Sequence, residues 1–430
     1  MAAKRLLFVS LHGLIADIAW QAQREGDAVK MAVLNPKAQE MGLGLVPRST
    51  AWEKDLQWAD TVIFDDSEGL GEKADWARKQ GATVVGGTAY TDRLEEDRSF
   101  GQKELAKHGI AILPHYDFSS FDEGIDFIGR NPGSYVLKPY AGAPEVKKML
   151  FVGEDPKGWD VAELLKHYAH TETGAWSYQL QKKVSGVEVC IQAFFDGEKF
   201  VMPTCVGFEH KRFFTGDLGP QTGEMGTSMF WSGPNRLYKE TIALFAPRLK
   251  EAGFCGSFDL NCIVNEEGIH PLEFTPRFGY PQIHIQQEGF AEPIGNFLHQ
   301  LPRRQLTKFS VKPGFQVGVQ VRVPPYPYDD LLCWQRLSKN IGIDILGNDY
   351  AGIHPGDVKV VAGRWVLAGS DGCPLVVCGS GLTLKAAQQQ AYERVKKVHI
   401  PNAYYRTDIG DRWYNQAEGD KLLIWGYLSA

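Results

Sequence analysis

Short apolar runs alternate with amphipathic stretches through roughly the first 95 residues. Leu6–Ser10, Ala28–Leu34, Thr61–Phe64 and Thr83–Val85 read as strands, and between them Ile15–Arg24 and Glu72–Gln80 repeat apolar and charged residues at helical spacing. Alternation of this kind predicts a parallel sheet with helices on its faces. The loop after the first strand, Ser10-Leu11-His12-Gly13-Leu14, holds one glycine, so it is not the G-x-G-x-x-G turn of a dinucleotide site. Lys4-Arg5 ahead of Leu6–Val9 imitates a signal peptide, but Asp17 and Trp20 interrupt the apolar run and no A-x-A site follows. A buried first strand is the reading.

Asp97–His108 predicts a helix leaving this layer; Tyr135–Lys138, Trp176–Lys183 and Val187–Phe194 predict strands. Gly216–Gly226 and Pro276–Pro281 read as Gly- and Pro-rich loops. Beyond Lys308 the pattern turns β-rich, with strands at Gln316–Val323, Val358–Val361, Trp365–Ala368 and Leu375–Gly379 and a helix at Lys385–Lys397. The expected domains are 1–95, 96–310 and 311–430.

Composition narrows the class. A chain of 430 residues, 43% hydrophobic and 23% charged, is globular and too long for one ordinary domain. A net charge of −6 argues against a dedicated nucleic-acid binder, while leaving room for a basic pocket around a small phosphate. Seven scattered cysteines without a C-x-x-C pair argue against a disulfide framework or structural zinc and point to a reducing cytoplasm. No apolar stretch approaches the roughly 20 residues that span a bilayer.

The segment from Gly256 to Gly279 carries the most chemistry. It reads as a hairpin: a strand over Gly256–Val264, a polar turn at Glu266-Glu267-Gly268, and a returning strand through Glu273, Thr275 and Arg277. Pleating sends residues two apart to one face, so Glu273, Thr275 and Arg277 share a side that Asn261 can meet from the partner strand. A carboxylate among oxygen ligands suits Mg²⁺, which leaves coordination positions for substrate phosphates. Arg277 would add a fork of donors. On spacing alone, an ordinary ion pair between Glu273 and Arg277 at a strand end is the simpler reading; the neighbouring segments change that.

Glu273-Phe-Thr-Pro-Arg277 is similar to the E-x-N-P-R metal strand of the ATP-grasp superfamily. Tyr135-Val-Leu-Lys138 resembles its phosphate-binding strand, and Gln181-Lys182-Lys183-Val184-Ser185-Gly186-Val187-Glu188 resembles the hinge that holds adenine and, through its glutamate, the ribose. The three occur in the superfamily's order. His210-Lys211-Arg212 with Gly216–Gly226 further resembles the D-H-K-R…G-D-x-G-P-x-T-G-G-M-G stretch of the phosphoribosylamine–glycine ligase family, and Tyr405–Gly410 its C-terminal Y-R-x-D-I-G. The similarity covers roughly residues 60 to 415.

The resemblance implies a multidomain α/β and α+β chain: an ATP-grasp fold between an N-terminal parallel-sheet, Rossmann-like domain and a small β-rich C-terminal domain. It implies an ATP-dependent carbon–nitrogen ligase using ATP and Mg²⁺ (or Mn²⁺) on small-molecule carboxylate and amine substrates. Amide formation would run through an acylphosphate and release ADP and phosphate. Lys138, Lys147 (or Lys148), Gln181, Lys182, Val184 and Glu188 would bind the nucleotide; Glu273, Asn261 and Thr275 the metal; Arg277, Lys211 and His210 would serve the chemistry, His210 equally fitting a structural role. Residues 134–195 would form a lid hinged at Gln181–Val184, with Gly216–Gly226 a second covering loop. A monomer and a homodimer both fit.

Departures from the family concentrate on the substrate side. The family's opening G-G-R-E-H-A loop, which helps hold phosphoribosylamine, is Ser10-Leu-His-Gly-Leu here. The Gly- and Lys-rich lid loop becomes Pro139–Lys148, Glu224 replaces a glycine, Thr275 the metal-binding asparagine, and Tyr280 and Gln282 the acids of G-D-P-E. Nucleotide-side positions are mostly kept, so the expectation is a ligase with an altered substrate. The alternatives are an authentic phosphoribosylamine–glycine ligase of purine biosynthesis and a non-catalytic ATP-binding regulator.

Overall fold

The computed structural model describes residues 3–140, 149–172, 176–306 and 309–429. Four parallel strands, β1 (Arg5–Ser10), β2 (Ala28–Val33), β3 (Thr61–Phe64) and β4 (Val84–Val85), make the N-terminal sheet in the order β2-β1-β3-β4. Leu6, Leu7, Phe8 and Val9 are all fully buried, as expected where helices such as Ala16–Arg24 and Leu70–Lys79 cover a parallel sheet on both faces.

A second, antiparallel sheet contains β5 (His115–Phe118), β6 (Tyr135–Pro139), β7 (Phe151–Val152) and β8 (Tyr178–Lys182), in the order β5-β8-β6-β7. Helices Phe121–Arg130 and Trp159–Thr171 pack on it around Tyr135, Leu137, Val161, Leu165 and Tyr178. This small body begins before the expected lid start at 134 and ends before Val187, because the next strand joins a different sheet.

That sheet has eight strands. Its first members are β9 (Val187–Phe195), β10 (Phe200–Phe214), β11 (Leu218–Ser232), β12 (Gly256–Val264), β13 (Ile269–Thr275) and β14 (Phe315–Val321), running β13-β12-β9-β10-β11-β14 and continuing to Leu375–Gly381 and Ile353–Pro355. Two expectations change here. Gly216–Gly226 is not a loop: only a short turn separates β10 from β11, and Gly226 pairs with both His210 and Val319 inside the sheet. The boundary near 310 does not separate two sheets either, since β11 offers its free edge to β14 and the β-rich tail extends the same layer.

Period-two alternation sorts the central strands into two faces. Val187, Val189, Ile191, Phe258, Leu260 and Phe274 enter one apolar core with Phe245 and Leu249. Glu188, Cys190, Gln192, Ser257, Asp259 and Asn261 lie on the other face, where the functional residues collect. A third core joins the N-terminal sheet (Leu6, Phe8, Ile63) to Phe297, Val317, Val358 and Trp365, so the terminal regions are packed as one. No helix among the described residues is long and apolar enough to cross a membrane.

Candidate active site

The hairpin register fixes the heart of the site. Asn261 lies opposite Glu273 and Asp259 opposite Thr275 across β12 and β13. On the adjoining strands Glu188 and Glu209 bring two more carboxylates to the same face, and Lys211 extends from β10 into their midst. Its Nζ lies 3.1 Å from Glu188 Oε1, 3.3 Å from Glu209 Oε2 and 3.2 Å from Glu273 Oε1. Burial disfavours that ammonium, but the three carboxylates outweigh it and raise its pKa well above the usual lysine value. The Lys211 ammonium in turn pulls Glu273 down to about 2.

Exposure grades from mouth to floor: the Glu273 side chain is 63% exposed, Glu188 27% and Glu209 12%. A ligand therefore arrives on the Glu273 side. On the floor, the Asn261 amide donates to Glu188 Oε1 and Glu209 Oε2, both at 3.2 Å, and Gln282 donates to Glu209 Oε1 at 2.9 Å.

Carboxyl groups outnumber ammonium groups here, and burial keeps several of them from ionising freely. Burial, with Glu209 nearby, pushes Asp259 and Glu224 well above the ordinary carboxylate range, and burial also raises Glu209. Asp259 Oδ2 and Asn261 Oδ1 are buried without a hydrogen-bond partner. Buried polar atoms left unpaired are costly, and a divalent cation would satisfy both. Two carboxylates, an amide oxygen and the neighbouring Thr275 hydroxyl form the hard-oxygen donor set that Mg²⁺ prefers. The residues present therefore fit the metal that the fold implies, and Asp259 belongs with the residues named from the sequence. The signal for it was present: it stands two positions before Asn261, on the same face.

Lys138 comes to this cluster from β6. It is 8% exposed, and burial with the nearby Arg98 guanidinium draws its pKa down to about 7. Arg98 donates to the Pro139 carbonyl, and burial lowers its pKa while Glu273 opposes that shift. Gln181 is buried on β8, whereas Lys182 is exposed and Val184 half-buried in the connection to β9. That connection is tight: a side chain at Gly186 would place its Cβ 2.4 Å from the Val264 carbonyl oxygen. Lys147 and Lys148 lie outside the described residues.

Two residues sit elsewhere than the sequence reading suggested. Arg277 is held by Glu95 at 2.7 and 3.3 Å and by Asp66 at 3.5 Å, tying the segment after β13 to the N-terminal domain. Burial is outweighed by these acids, and its pKa rises. Its partners lie far away in sequence, so spacing alone had no access to them. His210 is fully buried on the face opposite Lys211, where its Nε2 accepts from the Gly410 N–H at 2.9 Å. Burial, with Arg412 beside it, depresses its pKa well below the ordinary histidine value, which leaves a neutral structural imidazole. Glu209, adjacent to it in sequence, takes the place in the cluster.

Comparison with known proteins agrees with this geometry. The model of the Phosphoribosylglycinamide synthetase, ATP-grasp (A) domain family matches residues 96–283. The chain is 27% identical to a phosphoribosylamine–glycine ligase of Streptococcus suis over 376 residues, covering 84% of this chain and 86% of that protein. It is 25% identical to the Corynebacterium ammoniagenes ligase, covering 78% of each. Among solved structures, phosphoribosylamine–glycine ligase from Thermotoga maritima superposes with a TM-score of 0.70 at 21% identity, covering 94% of this chain and all of that one. The biotin carboxylase domain of Hydrogenobacter thermophilus 2-oxoglutarate carboxylase, in complex with MgADP, gives 0.64 at 11% identity and covers 94% and 92%. The chain thus matches an ATP-grasp domain model over residues 96–283 and is similar along most of its length to phosphoribosylamine–glycine ligases.

Proposed function

We propose that this protein joins a carboxylate to an amine at the expense of ATP, through an acylphosphate, on substrates other than phosphoribosylamine and glycine. The observation that supports ligation best is the register Asp259↔Thr275 and Asn261↔Glu273, four oxygen-bearing side chains on one face, with Lys138 and Lys211 beside them. A bound Mg²⁺ neutralises phosphate charge and polarises phosphoryl oxygens; Glu273, Asp259 and Asn261 would hold it, with Thr275 adjacent. Lys138 offsets nucleotide phosphate charge, and the Gln181–Glu188 segment receives the adenosine end. A free carboxylate is a poor acyl donor because an oxide ion would have to leave. Its oxygen therefore attacks the γ-phosphorus as the bond to ADP breaks; the amine then attacks the acyl carbon, loses a proton and expels phosphate. Lys211 stabilises the charge brought together, since preorganised cations in a shielded site lower the barrier most.

The N-terminal domain supports a changed acceptor. Ligands of open parallel sheets bind beyond the carboxyl ends of the strands. Here that edge presents Ser10, His12, Asp65, Asp66 and Glu68, and Asp65 accepts from Ser10 Oγ at 2.7 Å and Tyr280 OH at 3.1 Å. Burial, reinforced by Asp66, raises Asp65 to about 7. The Arg277 guanidinium at this edge is already committed to Glu95 and Asp66, so the edge suits a neutral or cationic amine better than a phosphate. The seven free thiols fit a reducing compartment, and the cytoplasm is the proposed location.

The test is Mg²⁺-dependent ADP release by the full chain, screened over amino acids and amines with mass spectrometry of products. Release should need both substrates and should collapse in Glu273→Gln; unchanged release in that variant overturns the metal assignment. Turnover with glycine and phosphoribosylamine alone would make the altered-substrate reading wrong.

A further inference from the structure

β10 does not end at the cluster. Two residues beyond Lys211 it carries Phe213 and then Phe214, which wall a cleft of about 600 Å³ together with Tyr326, Tyr328, Tyr404 and Tyr405. Phe213 contacts Phe214, Tyr404 and Tyr326 with ring centroids at 4.6, 5.2 and 6.0 Å. The remaining lining is Thr215, three prolines of the Pro324–Pro327 turn and Cys333, so no lining side chain carries a formal charge. The Tyr404 hydroxyl is already committed to the Tyr326 carbonyl and the Tyr326 hydroxyl to the Glu224 carbonyl, which leaves their ring faces to form the wall. Yet Phe214 is 55% exposed and Tyr328 65%, a large apolar surface at the margin of a polar site.

Size and position select the occupant. The cleft lies within the roughly 300–1,000 Å³ range of small-molecule sites, which are lined mainly by apolar and aromatic side chains. At a rise of at most about 3.3 Å per strand residue, Phe213 stands within about 7 Å of Lys211 along β10, across an irregular stretch of its pairing with β11, the length of a short acyl group. Between them Arg212 donates to the Gly219 carbonyl at 2.9 Å and keeps its other terminal nitrogen 4.0 Å from Glu154 of the lid body, so Lys211 and Arg212 stand at the cluster end of the cleft, while the Arg322 guanidinium, 4.0 Å over the Tyr326 ring, is not among the lining side chains. We infer that this cleft binds the body of the carboxylate substrate, which is a carboxylic acid bearing an aromatic or large apolar side chain. The inference deepens the ligase reading and rests on it for the acid's fate, though not for the acid's binding. Glycine, the acid named for the relatives, would leave the cleft empty.

Cys333 lines the cleft, and the other half-buried cysteine, Cys373, lies elsewhere. In the full chain carrying Cys373→Ser, the rate of Cys333 modification by Ellman's reagent reports occupancy directly. L-Phenylalanine or 3-phenylpropanoate, with a non-hydrolysable ATP analogue and Mg²⁺ present, should slow modification about ten-fold at about ten times the ligand's Kd. Glycine should give no protection. Tyr328→Ala, at an exposed position, should raise the concentration needed for protection about ten-fold through lost apolar contact. Protection with no ADP release in a parallel assay supports the cleft and counts against the ligase reading alone. No protection by either aromatic acid, protection by glycine as strong, or protection that depends only on protein concentration, as a second copy seated there would give, overturns the proposal.

Discussion

The molecule buries charge in two places, and the contrast between them separates ligand site from scaffold. Around Asp17, charge is balanced. Its Oδ2 accepts from His354 Nδ1 at 2.8 Å, Gln287 Nε2 at 3.0 Å and His284 Nδ1 at 3.1 Å, in a pocket closed to solvent. Burial opposes both shifts, yet the mutual attraction holds Asp17 below the carboxylate range and His354 well above the ordinary histidine value. Three segments distant in sequence, the Ala16–Arg24 helix, the Gln282–Gly289 helix and the Ile353–Pro355 strand, meet there. Around Lys211, three carboxylates share one ammonium, and the cluster is open on the Glu273 side. A closed, neutralised network holds the chain together; an open one with surplus acid awaits a cation-bearing ligand.

Variants on each side break or sharpen that contrast. Lys211→Met should lower ADP release by about 10²- to 10³-fold, the usual loss on removing one preorganised electrostatic group, while shifting the denaturation midpoint less than the next variant does. Asp17→Asn should cost about 3 kcal/mol in urea unfolding, because the His354 imidazolium loses its buried counter-charge, with affinity for an ATP analogue retained. Nucleotide affinity should fall about ten-fold between pH 7 and 8.5: the Lys138 ammonium, at about 7 without ligand, must be protonated to meet phosphate, so binding takes up a proton in that window. Calorimetry in buffers of differing ionisation enthalpy reads that proton, and Lys138→Arg should abolish it. The smallest effect is on the pH dependence of stability. His354 is raised in the folded state, so its contribution is complete below about 6.5 and declines as pH climbs through its folded value. Wild type minus His354→Gln should therefore show a stability difference that shrinks with rising pH, with a slope of at most about 1.4 kcal/mol per pH unit.

Period-two reasoning recovers the hairpin, its turn and the facing of Asn261 and Glu273 because these depend only on residues within one short segment. It stops where partners are remote. Nothing near Arg277 announces Glu95, and nothing near His210 announces Gly410. Gly216–Gly226 misleads for a different reason: its glycine content suggests a loop, but Gly226 brings the β11 backbone so close to the neighbouring strand that a Cβ there would sit 2.5 Å from the Gly318 carbonyl oxygen. Asp259 and Glu209 were legible by alternation from Asn261 and Lys211, residues already singled out.

β10 is unusually long, and its second half carries Glu209 and Lys211 of the carboxylate cluster and then the aromatic wall at its tip. One continuous strand thus acts as a ruler, and the irregular pairing between Lys211 and Phe214 is where it sets the gap between reaction centre and recognition end. Rebuilding the tip would retune which acid is chosen without disturbing the groups that handle phosphate, whereas inserting a single residue between them would turn Lys211 out of its place and silence both.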